Sequence, residues 1–144
     1  MKKSYLLSAV VLLSLSTATF GATLKSLNKA EATKELEGNT ITTVALATIN
    51  DNLVTNAFTG YFGKDGKMQG QFANAPENQP QKDQGTWTVK ADGTTCSNWD
   101  QWNNKQPVCF SVYKLSNGLL FINSENKKFL SLVLQENIKP GNQM

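Results

Sequence analysis

The chain of 144 residues contains no histidine. That absence removes Ser-His-Asp and Cys-His nucleophilic chemistry, and all metal binding through imidazole. Arginine is missing too, since all 14 basic residues are lysines. Bidentate reading of guanine by a guanidinium fork is therefore excluded. The lysines form no block beyond the pairs Lys2-Lys3 and Lys127-Lys128, so the chain lacks the basic stripe of a nucleic-acid-binding protein. Cysteine is scarce, with two residues and no Cys-x-x-Cys, which argues against a thioredoxin-like redox pair. Long apolar runs are scarce as well. Residues 5–15 form one, but it is short for the roughly 20-residue span of a membrane helix. Residues 130–134 are shorter still.

What is present at the front reads as an export signal. Lys2 and Lys3 supply a charged start, residues 5–15 an apolar stretch, and residues 17–22 the small residues of a cleavage site. The expectation is a cleaved signal peptide over 1–22 and a single β-rich domain over 23–144. The protein would then be periplasmic or secreted, with no stable membrane anchor after cleavage. No cysteine follows the apolar run, so no lipid anchor is expected. Loss of Lys2 and Lys3 leaves twelve lysines against eleven acidic residues, close to neutral. A domain of about 120 residues buries roughly two-thirds of its unfolded surface and needs no metal to fold.

One helix is expected at about 28–37. Asn28 followed by Glu31 is a variant of the capping box, and Gly38 sits where a C-terminal cap belongs. Leu24, Leu27 and Leu36 would give this helix its apolar side. After Gly38 the pattern becomes short β-rich runs separated by turn residues. Strands are expected over 41–49, 53–62, 67–72, 85–91, 94–99, 108–115, 119–123 and 128–135, with a polar loop over 75–84. Met68, Gly70 and Phe72 share one face; Trp87 and Val89 alternate inward against Thr86, Thr88 and Lys90. Asp92-Gly93 is a strong hairpin signal. About eight short antiparallel strands at regular spacing predict a mainly β fold, a small barrel or a sandwich.

The two cysteines of an exported chain are expected to pair, and Cys96–Cys109 is the one intramolecular pairing available. Parity along the two flanking strands puts Trp99, Phe110 and Val112 in the core with Trp87 and Val89. The cystine then lies on the outer, more polar face, and Tyr113 and Leu115 are partly exposed.

The ordered motifs resemble those of a family of small exported proteobacterial proteins, the domain-of-unknown-function family nine-nine-five. They are Gly38-Asn39-Thr40, Tyr61-Phe62-Gly63-Lys64-Asp65-Gly66, Gly85-Thr86-Trp87, Asp92-Gly93-Thr94-Thr95-Cys96-Ser97-Asn98-Trp99, Cys109-Phe110-Ser111-Val112 and Pro140-Gly141-Asn142. The resemblance implies export and a compact β fold, and it implies no known activity. The basic residues, often arginine, of that family's strands are missing here. Gly85-Thr86-Trp87 is also similar to the Gly-x-Trp of lipocalins, though there it lies on the first strand; this supports a lipocalin-like barrel shape.

With histidine absent and both cysteines oxidised, only carboxylates remain for catalysis. Asp51, Asp65, Glu77, Asp83, Asp92 and Asp100 are all expected in turns or loops, where turn formation explains them. No metal site or cofactor is expected, and the chain reads as non-enzymatic. The candidate functional surface is Trp102 with Asp100, Gln101, Asn103 and Asn104, an exposed aromatic among amides suited to a protein or small-molecule partner. The leading expectation is an exported domain that binds a protein or small ligand in the envelope or outside the cell, a role open to an inhibitor or secreted factor. Two alternatives are a barrel enclosing an apolar small molecule and a carboxylate-only hydrolase.

Overall fold

The computed structural model describes residues 24–44, 47–49, 52–54, 57–75, 77–127 and 130–144. The expected signal peptide, Asp51 and parts of the expected strands 41–49, 53–62 and 128–135 lie outside the described residues. In chain order the elements are α1 (Lys29–Leu36), β1 (Asn39–Thr42), β2 (Ala47–Ile49), β3 (Asn52–Val54), β4 (Phe58–Phe62), β5 (Lys67–Phe72), β6 (Lys82–Val89), β7 (Thr95–Trp99), β8 (Val108–Leu115), β9 (Gly118–Asn123), β10 (Leu130–Leu134) and β11 (Ile138–Pro140). One-turn 3₁₀ helices occupy Trp102–Lys105 and Gln135–Asn137.

Nine strands form one antiparallel sheet in the order β10-β9-β8-β7-β6-β5-β4-β1-β11, and β2 pairs with β3 separately. The run from β4 to β10 is a meander. The sheet curls until its two ends meet along β1. The outer edge of β1 pairs with β11 at Asn39, Thr40 and Ile41, and two residues past its end the Val44 N–H donates to the Leu132 carbonyl of β10 at 2.7 Å. The result is a nearly closed barrel, which leaves little unpaired strand edge.

Two expectations about element boundaries are corrected. The reading of 75–84 as a loop fails at its end, because β6 begins at Lys82. The tail 138–140 becomes a strand that sequence reasoning missed. It is short and ends in a proline, which an edge strand accommodates.

The helix has its expected N-terminus. Asn28 Oδ1 accepts the Glu31 N–H at 3.0 Å, and Glu31 Oε2 accepts the Asn28 N–H at 2.8 Å. Gly38, at φ +75°, supplies the left-handed residue that ends it. Its apolar side is Ala32 and Leu36, both fully buried, with Leu27 just ahead of it. Leu24 is instead 48% exposed, because the segment before Leu27 runs along the outer edge of β8. The ends of β4, β6, β8 and β10 and the starts of β1, β5, β7 and β9 lie on one side of the barrel. The helix sits there. Gly38 N–H donates to the Phe62 carbonyl, Leu27 N–H to the Val112 carbonyl, and Lys114 pairs with Glu35 at 2.9 Å. Leu36 thus joins Ile41, Val112, Leu119 and Val133 in the tightest part of the core.

At the β6–β7 turn, Asp92 accepts the Thr94 N–H at 2.9 Å. This bond, aided by Lys90, holds its carboxyl below the usual carboxylate value. A lowered carboxyl favours the folded state above the ordinary aspartate range and loses that contribution as pH falls through the folded value. Asp92 is fully solvent-exposed, so the contribution is small.

Cys96 and Cys109 face each other in register across β7 and β8 and form a disulfide. Alternate residues Thr95, Ser97 and Trp99 point into the barrel, so the cystine is on the outer face. It is nonetheless buried, at 4% and 7% exposure. The bridge closes a 13-residue separation that contains the whole β7–β8 loop. Replacing both cysteines with alanine is expected to lower unfolding stability by about 3 kcal/mol. A urea titration reads this as an earlier midpoint, with a slope that rises as the freed unfolded chain expands; an unmoved midpoint would mean the bridge staples nothing.

Candidate functional site

The helix-capped side of the barrel is closed. The other side carries the connections from β1 to β4, β5 to β6, β7 to β8 and β9 to β10, among them two loops, 73–81 before β6 and 100–107 after β7. Both are anchored by one tryptophan. The Trp102 indole N–H donates to the Pro80 carbonyl at 2.7 Å, joining the loops. Its ring lies inside, with Phe72 and Trp99 both at 4.7 Å between centroids and Phe58 at 6.3 Å. Trp102 is 3% exposed. The expectation of an exposed Trp102 is thereby corrected, and it does not cover the disulfide, which is on the opposite face of the sheet.

The physical reason lies in the loop backbone and in the glycines of β4 and β5. Asn103, Asn104 and Lys105 all have positive φ, at 51°, 53° and 61°. Asparagine tolerates this left-handed region better than most residues. The consecutive left-handed residues turn the chain sharply, and no alternation rule carries through such a turn. Below the indole, Gly70 leaves the space it needs. A Cβ there would lie 2.5 Å from the Trp99 ring and 2.7 Å from the Trp102 ring. Gly60, in register with Gly70, likewise leaves room for the Phe58 ring.

The loop backbone is held by a buried carboxylate. Asp83 Oδ2 accepts the N–H groups of Gln101 at 2.9 Å and Trp102 at 2.8 Å, and Oδ1 accepts that of Gln84 at 2.9 Å. Asp83 was expected in a loop. It sits instead within β6, opposite Gly70 and 7% exposed. The other members of the expected surface, Asp100, Gln101, Asn103 and Asn104, are exposed, but Trp102 does not project among them. Asp83 and Asp100 line one shallow hollow outside the barrel with Lys82 and Gln101. Both Asp83 oxygens serve backbone donors, so this carboxylate acts as a loop clamp.

Trp99 and Val112 are buried in the core, as is Trp87, whose indole N–H donates to the Gly63 carbonyl at 2.9 Å. Val89 and Phe110 are partly buried and pack against this core. Phe110 falls short of full burial because the barrel interior is hollow beside it. A cavity of about 390 Å³ lies between the capped side and the loops. Its walls are chiefly Phe58, Phe62, Phe72, Trp99, Trp102 and Phe121. Gln79 and Asn103 also line it and are exposed, so it reaches solvent on the loop side of the barrel. Among the described residues no lysine, aspartate or glutamate lines it.

A few hydroxyls interrupt the hydrocarbon: Thr43, Thr95, Ser97 and Ser131. Thr43 Oγ1 accepts the Phe58 N–H at 2.9 Å. Thr95 Oγ1 is buried and has no hydrogen-bond partner among the described residues. Phe58, Phe72, Asp83, Thr95 and Ser97 are site residues that sequence reasoning missed. The available signal was the alternation of large and absent side chains, Phe58-Gly60-Phe62 and Met68-Gly70-Phe72, on facing strands.

Among the described residues no three or more Cys, Asp or Glu side chains come together to hold a metal ion. No described helix is long and apolar enough to cross a membrane. Neither a protein-family profile nor a curated protein matches this chain.

Proposed function

We propose that this protein is an exported, non-enzymatic binding domain that encloses an apolar small molecule inside its barrel. The observation that carries the reading is the aromatic cavity of about 390 Å³ reaching solvent on the loop side of the barrel. Concave, largely apolar sites of a few hundred Å³ are where proteins bind small molecules. The alternative of docking a protein partner on an exposed Trp102 loses its basis, because that ring is part of the cavity wall. The Cys96–Cys109 bridge supports an oxidising compartment, and so export.

Titration with N-phenyl-1-naphthylamine, a neutral apolar fluorophore, tests the proposal. Saturable, blue-shifted emission with energy transfer from Trp99 and Trp102 is expected at micromolar dye. Val108, which lines the cavity, is replaced by tryptophan to fill it. The Val108→Trp variant should keep its cooperative melt and lose at least tenfold in dye affinity. Absence of saturable binding by the wild-type chain, or undiminished binding by a folded Val108→Trp chain, would overturn the reading.

A further inference from the structure

Resting on the cavity-binding reading, we infer that the ligand is an uncharged amphiphile whose one polar group, a hydroxyl or carbonyl, hydrogen-bonds to Thr95 Oγ1 deep in the barrel. Three observations converge on this chemistry.

The first is the character of the wall. Among the described residues the wall is aromatic, aliphatic or neutral polar, with no charged side chain. A carboxylate or ammonium brought into this space would lose its water and meet no counter-charge, which is strongly unfavourable. Fatty-acid-like and amine-like ligands are therefore selected against, and the polar part of the ligand is neutral.

The second is Thr95 itself. It is 3% exposed, lines the cavity, and its hydroxyl is unpartnered among the described residues. Buried polar groups in folded proteins are nearly always satisfied, so one that is not, beside an apolar cavity, marks where a ligand atom completes the bonding. A hydroxyl can donate to a carbonyl or accept from an alcohol, so both fit. Of the neighbouring polar groups, Thr43 Oγ1 takes the Phe58 N–H and Asn123 Oδ1 takes the N–H groups of Glu125 and Asn126, while Ser97 and Ser131 are the other hydroxyls of the wall.

The third is position. Thr95 is the first residue of β7, on the helix-capped side of the barrel, in register with Val89 and Phe110. Trp99 ends the same strand on the loop side. A ligand that reaches Thr95 therefore lays its hydrocarbon body along the aromatic wall toward Trp99 and Trp102. The polar group enters first and the apolar body fills the space behind it.

Reverse titration calorimetry with naphthalene, 2-naphthol and 2-naphthoate separates the components, because the three share one apolar body. The wild-type chain should bind 2-naphthol roughly tenfold more tightly than naphthalene, and 2-naphthoate more weakly than either. Thr95→Val keeps the shape and β-branching but not the hydroxyl. It should erase the preference for 2-naphthol while leaving naphthalene affinity unchanged, and Thr95→Ser should restore that preference. A melting temperature at or above the wild-type value is expected for Thr95→Val, since it removes an unpaired hydroxyl; a merely structural hydroxyl would lower it. Equal affinities for naphthalene and 2-naphthol, a preference that survives Thr95→Val, or tight binding of 2-naphthoate would overturn this inference and leave the cavity reading standing. Failure of all three compounds to bind would overturn both.

Discussion

Replacing Trp102 with alanine is expected to destabilise the fold by about 3–5 kcal/mol, the range for deleting a large buried aromatic. The ring touches Phe72, Trp99 and Phe58, and its indole N–H is the hydrogen bond that joins the two loops at the open side of the barrel. Its loss enlarges the cavity and orphans the Pro80 carbonyl together. Chemical denaturation followed by far-ultraviolet circular dichroism measures the change. Trp102→Phe should cost less, because it keeps an aromatic ring in the cluster and loses only the bond to Pro80. If Trp102→Ala cost under about 1 kcal/mol, as surface substitutions do, the ring would have to lie outside the core.

Asp83→Ala should be comparably severe, at about 3–4 kcal/mol. One carboxylate accepts three backbone N–H groups, and hydrogen bonds to charged groups are worth about 1.5–3 kcal/mol each, with losses that do not simply add. Two of the donors, Gln101 and Trp102, would be left beneath the loop without partners. Amide hydrogen exchange at those residues should accelerate well beyond the global change in stability, since the loop opens before the barrel does. Asp83→Asn retains one acceptor oxygen and should cost less than alanine. If exchange at Gln101 and Trp102 rose no faster than in β8, the carboxylate would not be the clamp. The two substitutions act on one loop, so their combined cost should fall short of the sum by at least about 0.5 kcal/mol in a double-mutant cycle.

The parts of this architecture that were legible in the chain are those decided over a few neighbouring residues. The capping box of Asn28 and Glu31 is a contact across three positions, and it forms as expected. The Asp92-Gly93 turn and the alternation of Trp87 and Val89 follow from backbone geometry with a period of two. Parity along β7 and β8 likewise placed Trp99, Phe110 and Val112 on the inner face and the cystine on the outer one. Each of these depends on local chemistry that survives whatever the rest of the chain does.

The candidate site was much less legible. Asp83 stands in a stretch rich in polar residues and proline, and composition there favours a loop. Pairing with β5 overrode it: Gly70 leaves space opposite, and two distant N–H groups together with that of the next residue satisfy the charge. Trp102 follows a strand that ends and precedes residues in the left-handed region, so no periodicity tells which way it faces. Its direction depends on a ring-sized space above Gly70, 32 positions earlier in the chain.

The sequence by itself determined that this chain has no histidine or arginine chemistry, that its strands are short and antiparallel, and that its two cysteines have only each other. Those conclusions follow from composition and from spacing along the backbone. Only the tertiary structure decided that the sheet closes on itself through β1, that Trp102 turns inward, and that a hollow remains inside with the Thr95 hydroxyl unpartnered among the described residues. A cavity is a property of side chains that meet from strands far apart in sequence, and its existence depends on what those side chains leave unfilled.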